Sequence, residues 1–447
     1  MGMGINKDRI YNFVLGLLVI LSFVLSYNLW TAGSDINDEQ NTGSQSSRID
    51  ISTVNHSLSD VYRPTNVTLH GLDDEHRMLM ASTFPLKNLL NNRFTTENLD
   101  RIERQENITT HEYIEILQTG QWVEFGFREE LPLGILEQKF DELTQEEANQ
   151  FFDRILINVD NLSSVYFYHS ESDTMYSASV RKNESLNIDP FLNKENLRYR
   201  PVQIEVLDNG FVYLSQEIVE IPYRSYVLDR LQNSLYTSNF FPDTSLVDVR
   251  SNGSITRYID LTKEVSINQR TNTLVYLRQI PNPGEMSSTE RYRRSFEQVE
   301  RFENWTGTFA LSDYNREDDI ISFRREIEGL PIFSPSSNES VSEIGLVENG
   351  VTHLKIPLRF STIPITMDDS PVKELLPGVE VMDELRRAMT FEDFGKIENV
   401  MIGFTWEESK EASQVIYFNP DWYILYDSTW IEFKSLLGRY KEAAYGF

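Results

Sequence analysis

The sequence predicts an α+β protein with a single N-terminal transmembrane helix, followed by a multi-domain extracytoplasmic region of antiparallel sheets packed with helices. Three observations support this prediction. Positions 10–30 form an uncharged, mostly apolar stretch. The chain is 12% aromatic and 25% charged, which is a globular composition. Short alternating runs are joined by Asn-Gly pairs, the strongest short signal for a β-hairpin.

The first element is the apolar stretch 10–30. As a helix it would be about 31 Å long, close to the thickness of the hydrocarbon core of a bilayer. Lys7 and Arg9 precede it, whereas residues 31–47 contain neither Lys nor Arg. The positive-inside rule therefore places the N-terminus in the cytoplasm and the remaining chain outside.

A cleaved signal peptide is the alternative interpretation of this stretch. Its cleavage site would need small residues at −1 and −3. With Ala32 at −1, the bulky Trp30 would occupy −3. We therefore predict a retained anchor, with Tyr27 and Trp30 at the outer membrane interface.

Charge and cysteine content restrict the partners and the source. The formal net charge is −28 at pH 7, so bulk electrostatics oppose binding to nucleic acid. The basic run 291–294 is the best candidate for a local patch that could bind an anionic partner. The glutamates around it favour a solvated helix face instead. The absence of cysteine in a long exported chain indicates a bacterium without a strong oxidative folding system.

Composition and pattern divide the chain into six segments. These are a cytoplasmic tail at 1–9, the transmembrane helix at 10–30, a flexible linker at 31–50, and extracytoplasmic domains at 51–196, 197–305 and 306–447. The linker is rich in Gly, Ser, Asn, Asp and Gln, which is typical of a flexible tether.

The first extracytoplasmic block mixes strands with short helices. Residues 122–127 alternate like a half-buried strand. Thr144 and Glu147 form a capping-box pattern, which predicts a helix through about Ile155. Two strand-like runs follow within 165–180.

The later blocks repeat this style. Asn-Gly pairs at 209–210, 252–253 and 349–350 each predict a hairpin. Helices are predicted at about Ser225–Tyr236, Thr289–Glu303 and Val379–Met389. Ser287 and Glu290 form a capping pair at the start of the second of these helices. A turn is predicted at 419–422, between two apolar runs.

The crossing helix carries a candidate contact face for partner helices. In lipid, helices associate through close packing of small residues and interhelical hydrogen bonds. The predicted contact residues are Asn12, Leu15, Val19, Ser22 and Ser26. The alternative is that each serine hydroxyl bonds the carbonyl four residues before it in its own helix.

Tryptophans give a weaker prediction in the outer region. Trp406, Trp422 and Trp430 are candidate interface anchors, because tryptophan is enriched at binding hot spots. Packing of these side chains between a sheet and a helix is the preferred alternative. The stretch 329–342 is expected to be an exposed loop.

Catalytic and metal-binding patterns are weak. The chain has no H-E-x-x-H, G-x-S-x-G, Walker A or G-x-G-x-x-G sequence and no nucleophilic cysteine. His76 follows the acidic run 73–75, for which a cation site is the alternative to a solvated charge run. We therefore predict no catalytic residue, metal ligand or cofactor, and no enzyme activity.

The order of segments resembles a known family. After the anchor and tether come VYRPTNVTLH at 61–70, WVEFGFREELPLGILEQKF at 122–140 and YFNPDWYILYDSTWIEF at 417–433. In order and architecture this chain is similar to the YycH (WalH) family over essentially its whole length.

The resemblance implies a role in signalling. Proteins of this kind lie beside an essential membrane sensor histidine kinase (WalK, also YycG) that controls cell-wall metabolism in Gram-positive bacteria. They act with a partner of similar anchor design, YycI. The prediction is thus a non-catalytic, membrane-anchored regulator that contacts a WalK-like kinase and a YycI-like protein. The alternative is an anchored extracytoplasmic cell-wall enzyme or ligand-binding receptor.

Overall fold

Antiparallel sheets dominate the structure, a computed structural model of the chain. It describes residues 56–72, 74–79, 99–181, 188–192, 197–241, 243–305, 307–334, 338–365 and 371–445. These residues belong to one compact unit, Asp50–Phe447. The predicted tail, crossing helix and linker lie outside the described residues. None of the helices in the described ranges combines the length and the apolar character needed to cross a membrane.

The strands are numbered in chain order. They are β1 Asn66–His70, β2 His76–Leu79, β3 Leu99–Glu106, β4 Trp122–Pro132, β5 Phe151–Asn158, β6 Ser164–His169, β7 Thr174–Val180, β8 Tyr199–Leu207, β9 Gly210–Ser215, β10 Val219–Pro222, β11 Arg224–Arg230, β12 Asp248–Asn252, β13 Ile255–Ile259, β14 Lys263–Asn268, β15 Thr273–Arg278, β16 Thr308–Asn315, β17 Ile320–Ile327, β18 Leu330–Phe333, β19 Val341–Val347, β20 Gly350–Pro357, β21 Arg359–Pro364, β22 Val372–Leu375, β23 Ile397–Glu408, β24 Val415–Tyr426 and β25 Thr429–Glu432.

The helices are fewer and mostly short. They are α1 Leu58–Val61, α2 Thr110–Thr119, α3 Gln145–Ala148, α4 Asp189–Leu192, α5 Asn233–Phe240, α6 Ser288–Glu300, α7 Gly378–Ala388, α8 Phe391–Phe394 and α9 Phe433–Tyr445, with 3₁₀ turns at Leu133–Lys139 and Thr244–Leu246.

Two large sheets organise these elements. The first has nine strands in the order β3-β7-β6-β5-β4-β1-β2-β8-β9. The second has fourteen, in the order β12-β13-β14-β15-β20-β19-β17-β18-β23-β24-β11-β21, with β16 added beside β17 and β25 beside β24. Short strand β18 joins the two halves of the second sheet, pairing antiparallel with β17 and parallel with β23. The predicted α+β class with antiparallel sheets is confirmed.

All three predicted hairpins are present. β8 pairs with β9, β12 with β13, and β19 with β20. The glycine of each turn, Gly210, Gly253 and Gly350, has a positive φ. Glycine lacks the Cβ atom that makes this backbone region costly for other residues. Local turn chemistry therefore fixed these hairpins.

Two helix predictions are confirmed. The Ser287 hydroxyl accepts a hydrogen bond from the Glu290 amide at the start of α6. Helix α7 lies where the apolar period places it. The Thr144–Glu147 capping box also forms, as expected.

Other boundaries were wrong. The helix predicted through Ile155 ends at Ala148, because β5 begins at Phe151 and is held between β4 and β6. The helix predicted at Ser225–Tyr236 is mostly β11, which pairs with β21 and β24, and only its end coincides with α5. In both cases pairing with distant strands overrides the local helical pattern.

The predicted turn at 419–422 was also wrong, since β24 runs through it. Pro420 opposes Phe404 of β23 on one side. On the other side, β11 pairs only as far as Phe418 and β25 begins its pairing at Tyr423. Proline has no amide hydrogen to donate, so it is tolerated where no strand lies on its open side.

The predicted block limits do not coincide with sheet limits. Strands β8 and β9 follow the limit at 196/197, yet β8 pairs with β2 of the first block. Strands from the second and third blocks share the second sheet, where β15 pairs with β20. The division into three domains stays a prediction.

A buried charge cluster ties the first block to the third. The Glu326 carboxylate forms ion pairs with Arg63 and with Arg128, whose Nη2 lies 2.8 Å from Oε1. The side chains of all three are at most 7% exposed. Removing one member of such a cluster leaves an uncompensated charge in a poorly solvated place. The cluster therefore fixes how the first sheet meets β17.

Candidate functional site

A large cavity lies between the two halves of the second sheet. Its volume is about 890 Å³. Strands β16, β17 and β19 supply one wall and β23, β24 and β25 the other, and β18, α9 and Glu129 of β4 complete the lining. We refer to it below as the sheet cleft.

Strand alternation decides which side chains face this cleft. On β17, Ser322 and Arg324 line it, whereas Phe323 packs in the core on the opposite face. Across the strand pair, Ser322 opposes Glu343 of β19, which also lines the cleft. A period of two thus places polar residues in the cleft and apolar residues beneath the sheet.

Aromatic side chains form one part of the cleft wall. The rings of Phe333 and Tyr423 stack with centroids 3.9 Å apart, and Trp430 lies 5.4 Å from Phe333. The Arg324 guanidinium lies 4.6 Å from the Phe333 centroid, a cation–π contact. The Tyr423 hydroxyl is 2.6 Å from the Thr405 hydroxyl. These contacts hold the aromatic wall in one arrangement.

Acidic side chains outnumber basic ones in the cleft. They are Glu129, Asp313, Glu343, Glu398 and Glu432, against Arg324 and Arg439. A cleft with this balance attracts positively charged groups.

Two of these acids differ in protonation. Burial, reinforced by the negative charge of Asp313, raises the pKa of Glu129 to about 8. Burial also opposes ionisation of Glu343, but hydrogen bonds from His353 and Lys355 outweigh it and lower its pKa. The cleft therefore presents a neutral carboxylic acid and a carboxylate at pH 7.

Glu130, next to Glu129 in sequence, lies in a separate cluster. Its carboxylate is 2.7 Å from His169 Nε2 and also pairs with Arg316. Glu130, His169 and Glu171 place ligand atoms within 4.8 Å of one another, as a cation site would. Arg316 pairs with both glutamates, so its guanidinium already supplies the positive charge there. We therefore assign this cluster a structural role and not a cation site.

A third polar cluster crosses the first sheet. The Nδ1 atoms of His70 and His76 are 2.8 Å apart, and His76 Nε2 is 2.9 Å from Asp74. His70 Nε2 lies 3.7 Å from fully buried Glu124. Arg154 Nη1 lies 2.7 Å from the other Glu124 oxygen. The acidic residues Asp74 and Glu75 before His76 are exposed, as a solvated charge run predicts, whereas His76 itself is buried.

Burial would raise the pKa of Glu124, but Arg154 and His70 outweigh it and hold this pKa at about 2. Hydroxyls of Tyr113 and Tyr213 donate to the same carboxylate at 2.8 and 2.9 Å. Glu124 is therefore an ionised, fully bonded group. Its signal in the sequence was one acid within the otherwise apolar run 122–127.

The predicted interface tryptophans have different environments. Trp406 and Trp422 are 6% and 5% exposed in the core beneath β23 and β24. Trp430 is half-buried and lines the sheet cleft. Only Trp430 presents part of its surface to a cavity of this size.

The remaining predictions concern the contact face of the crossing helix and the stretch 329–342. The helix-contact residues Asn12, Leu15, Val19, Ser22 and Ser26 lie outside the described residues. The stretch 329–342 is not an exposed loop throughout, because β18 begins within it and Pro331 to Phe333 are buried. Sequence reasoning missed the sheet cleft, because its acids come from strands far apart in the chain.

Comparison with known families gives one consistent result. Residues 8–196 match the family model described as the YycH protein, N-terminal domain. Residues 210–438 match the YycH protein, C-terminal domain. A comparison with curated proteins gave no match.

One solved structure supports the fold. The crystal structure of YycH from Bacillus subtilis is similar with a TM-score of 0.67 at 15% identity, covering 86% of this chain and 99% of that one. An uncharacterized protein from Eubacterium rectale gives a TM-score of 0.32 at 11% identity, covering 46% and 77%. At these identities the first comparison shows the fold alone.

Proposed function

This chain belongs to the YycH family, and on this premise we propose that it is a non-catalytic, membrane-anchored regulator of a WalK-like sensor histidine kinase. Family membership makes it a YycH-type regulatory protein. The kinase as direct partner, a YycI-like protein as second partner, and control of cell-wall metabolism are parts of the proposal. The observation that carries it is the match of both family domains, in order, along most of the chain.

The predicted anchor gives the proposal its geometry. Helix 10–30 would hold the body at the outer face of the cell membrane, with the N-terminus in the cytoplasm. Its face through Ser22 and Ser26 would contact a kinase helix by close packing.

The sheet cleft is the outer contact that we propose. Its acidic lining suits a partner segment that carries basic side chains. Its aromatic wall, Phe333, Tyr423 and the half-buried Trp430, suits apolar side chains in the same segment. Aromatic residues in a pocket are frequent binding hot spots.

Crosslinking in native membranes tests the partner. The full-length chain is crosslinked in cells, purified, and searched for a histidine kinase by mass spectrometry. Recovery of the kinase supports the proposal. Binding to purified cell wall without any kinase would contradict it.

Two variants locate the contacts. Replacing Ser22 and Ser26 together by leucine is expected to lower kinase recovery at unchanged protein level. Trp430→Ala is expected to lower it about tenfold, as loss of a hot spot would. Phe391→Ala is the matched control, because Phe391 is 94% exposed and lies outside the cleft lining. Equal recovery with all variants would place the contact elsewhere.

A ligand-binding receptor is the second candidate. The observation that favours it is the cleft itself, which holds Glu129 with a raised pKa near the ionised Glu343. Unequal acids in one pocket are typical of ligand or catalytic sites. Retention of the full-length chain on purified cell wall, lost in Glu129→Ala, would support this candidate.

A further inference from the structure

A second cavity lies between the first sheet and the second. Its volume is about 190 Å³. Strands β1, β2, β4, β5 and β9 line it from the first sheet, and β18, β23 and β24 line it from the second. We refer to it as the inter-sheet cavity; it shares no lining residue with the sheet cleft.

Most of the inter-sheet cavity is apolar. Its apolar lining includes Phe127, Phe211, Leu330, Val400, Ile402 and Trp422. The volume is smaller than the roughly 300–1,000 Å³ typical of sites for drug-sized ligands. An apolar group of modest size therefore suits it.

The charged lining is unusual for so acidic a protein. Two arginines, Arg128 and Arg154, line the inter-sheet cavity, and no Asp or Glu is among its described lining residues. The net charge of the whole chain is −28. All charged side chains that line this apolar cavity are thus positive, although the protein as a whole is acidic.

Arg128 has hydrogen-bonding capacity to spare. Its side chain is 7% exposed, and its Nη2 donates to Glu326 at 2.8 Å. Its Nη1 is buried and has no hydrogen-bond partner among the described residues. Glu326 is shared with Arg63, so one carboxylate balances two guanidinium groups.

The charge of Arg154 is better balanced, since Glu124 and Asp153 both lie close to it, although its Nε is also buried without a hydrogen-bond partner among the described residues. Its Nη1 bonds Glu124 at 2.7 Å, and its guanidinium lies 4.1 Å from the Phe211 centroid. Arg63 and Arg128 together therefore carry one positive charge more than Glu326 balances, and the donor without a partner is Arg128 Nη1. A buried donor without a partner costs free energy unless an occupant accepts its hydrogen bond.

We propose that the inter-sheet cavity binds a small carboxylate with an apolar body. The carboxylate accepts a hydrogen bond from Arg128 Nη1 and supplies the missing negative charge. The apolar body lies against Phe127, Phe211 and Trp422. Because the cavity walls come from both sheets, the occupant contacts both at once.

Calorimetry with 4-phenylbutyrate tests this site. The full-length chain is titrated in nanodiscs, with empty nanodiscs as the blank and 4-phenylbutyramide as the uncharged analogue of the same shape. We expect 1:1 binding of the acid, about tenfold or more tighter than the amide, since a hydrogen bond to a charged group is worth more than a neutral one. Absence of acid binding, or equal affinity for acid and amide, would overturn the proposal.

Three variants assign the site. Arg128→Met removes the preference for the acid, and Glu326 keeps its Arg63 partner in that variant. Val400→Phe fills the inter-sheet cavity and abolishes binding of both compounds. Arg439→Met, in the sheet cleft, leaves both affinities unchanged. Should Arg128→Met fail to fold, Val400→Phe decides the question, because unchanged acid binding in it refutes the site.

Mass spectrometry of the intact protein separates two sources of such a ligand. A short-chain acid held from the membrane would stay with the protein through dialysis, whereas a water-soluble carboxylate would be detected only before dialysis. Detection of either, displaced by 4-phenylbutyrate, supports the proposal. This assay contains no kinase, so its outcome is independent of the proposed regulatory function.

Discussion

His70 and His76 face each other across β1 and β2 with their Nδ1 atoms 2.8 Å apart. They oppose each other directly in the strand register, and both are buried. One Nδ1 must donate and the other accept, so the pair cannot hold two protonated rings in this geometry. Asp74 lies beside His76 on the same turn, and Glu124 lies beyond His70 on β4.

This pair predicts that stability falls on acidification. Burial first, and then the neighbouring His70, lower the pKa of His76 below its ordinary 6.5. The unfolded chain therefore binds this proton more readily, and stability is lost as pH falls from about 6.5 through the lower folded pKa. Urea midpoints at pH 7.5 and 5.5 measure the loss.

Variants isolate the contribution of His76. In His76→Asn the difference between the two urea midpoints is expected to shrink, whatever the absolute stability. His111→Asn, at an exposed position of α2, serves as control and keeps the wild-type difference. An unchanged difference in His76→Asn would show that other groups cause the acid loss.

Glu129→Gln is expected to stabilise the protein at pH 8. The folded pKa of Glu129 is about 8, raised by burial above its ordinary 4.5. Stability from this group is complete below 4.5 and is lost as pH rises toward 8, at up to ~1.4 kcal/mol per pH unit. Glutamine does not ionise, so the variant should gain over wild type between pH 5 and pH 8.

Glu130→Gln is expected to change the stability at pH 8 in the opposite direction. Burial opposes ionisation of Glu130, but His169 and Arg316 outweigh it and lower its pKa. Its replacement should therefore destabilise the protein at pH 8. Equal urea midpoints for Glu129→Gln and wild type at pH 8 would contradict the raised pKa.

Glu326→Gln is expected to cost ~3–5 kcal/mol of unfolding free energy. Glu326 is fully buried and balances Arg63 and Arg128, and its loss leaves both guanidinium groups without a counter-charge. Glu171→Gln is the control, since Glu171 is 67% exposed and its pair with Arg316 should contribute within ~1 kcal/mol. Guanidinium unfolding at pH 7 compares the two. A loss under ~1 kcal/mol in Glu326→Gln would show that the cluster is solvated.

Gly134→Ala is expected to destabilise by ~1–3 kcal/mol through overpacking. A Cβ at Gly134 would overlap the side chain of Thr289, at the start of α6. Thr289 has little freedom to move, because its hydroxyl donates to the Ala148 carbonyl at 2.7 Å.

Gly438→Ala is the matched control for this variant. A Cβ there meets nothing within 4 Å, and the position lies inside α9, where alanine is favoured over glycine by ~0.5–1 kcal/mol. Thermal unfolding should therefore show opposite shifts for the two alanines. A raised melting temperature in Gly134→Ala would mean that α6 packs more loosely than this contact implies.

Local chemistry in the sequence determined the hairpins and the helix starts. At Asn209-Gly210 the positive φ of glycine is a property of two adjacent residues, and at Ser287 the cap reaches three residues ahead. Such signals do not depend on residues that are distant in the sequence. The family resemblance likewise lay in the order of segments, and the matches to both YycH domains confirm it.

The tertiary structure alone decided which distant residues meet. Pro420 lies within a strand because its neighbours leave its amide side open. Glu326 is balanced by arginines at 63 and 128, and the sheet cleft combines Glu129 with Trp430. These contacts depend on strand order and on pairing across hundreds of residues, which a period of two along one strand does not encode.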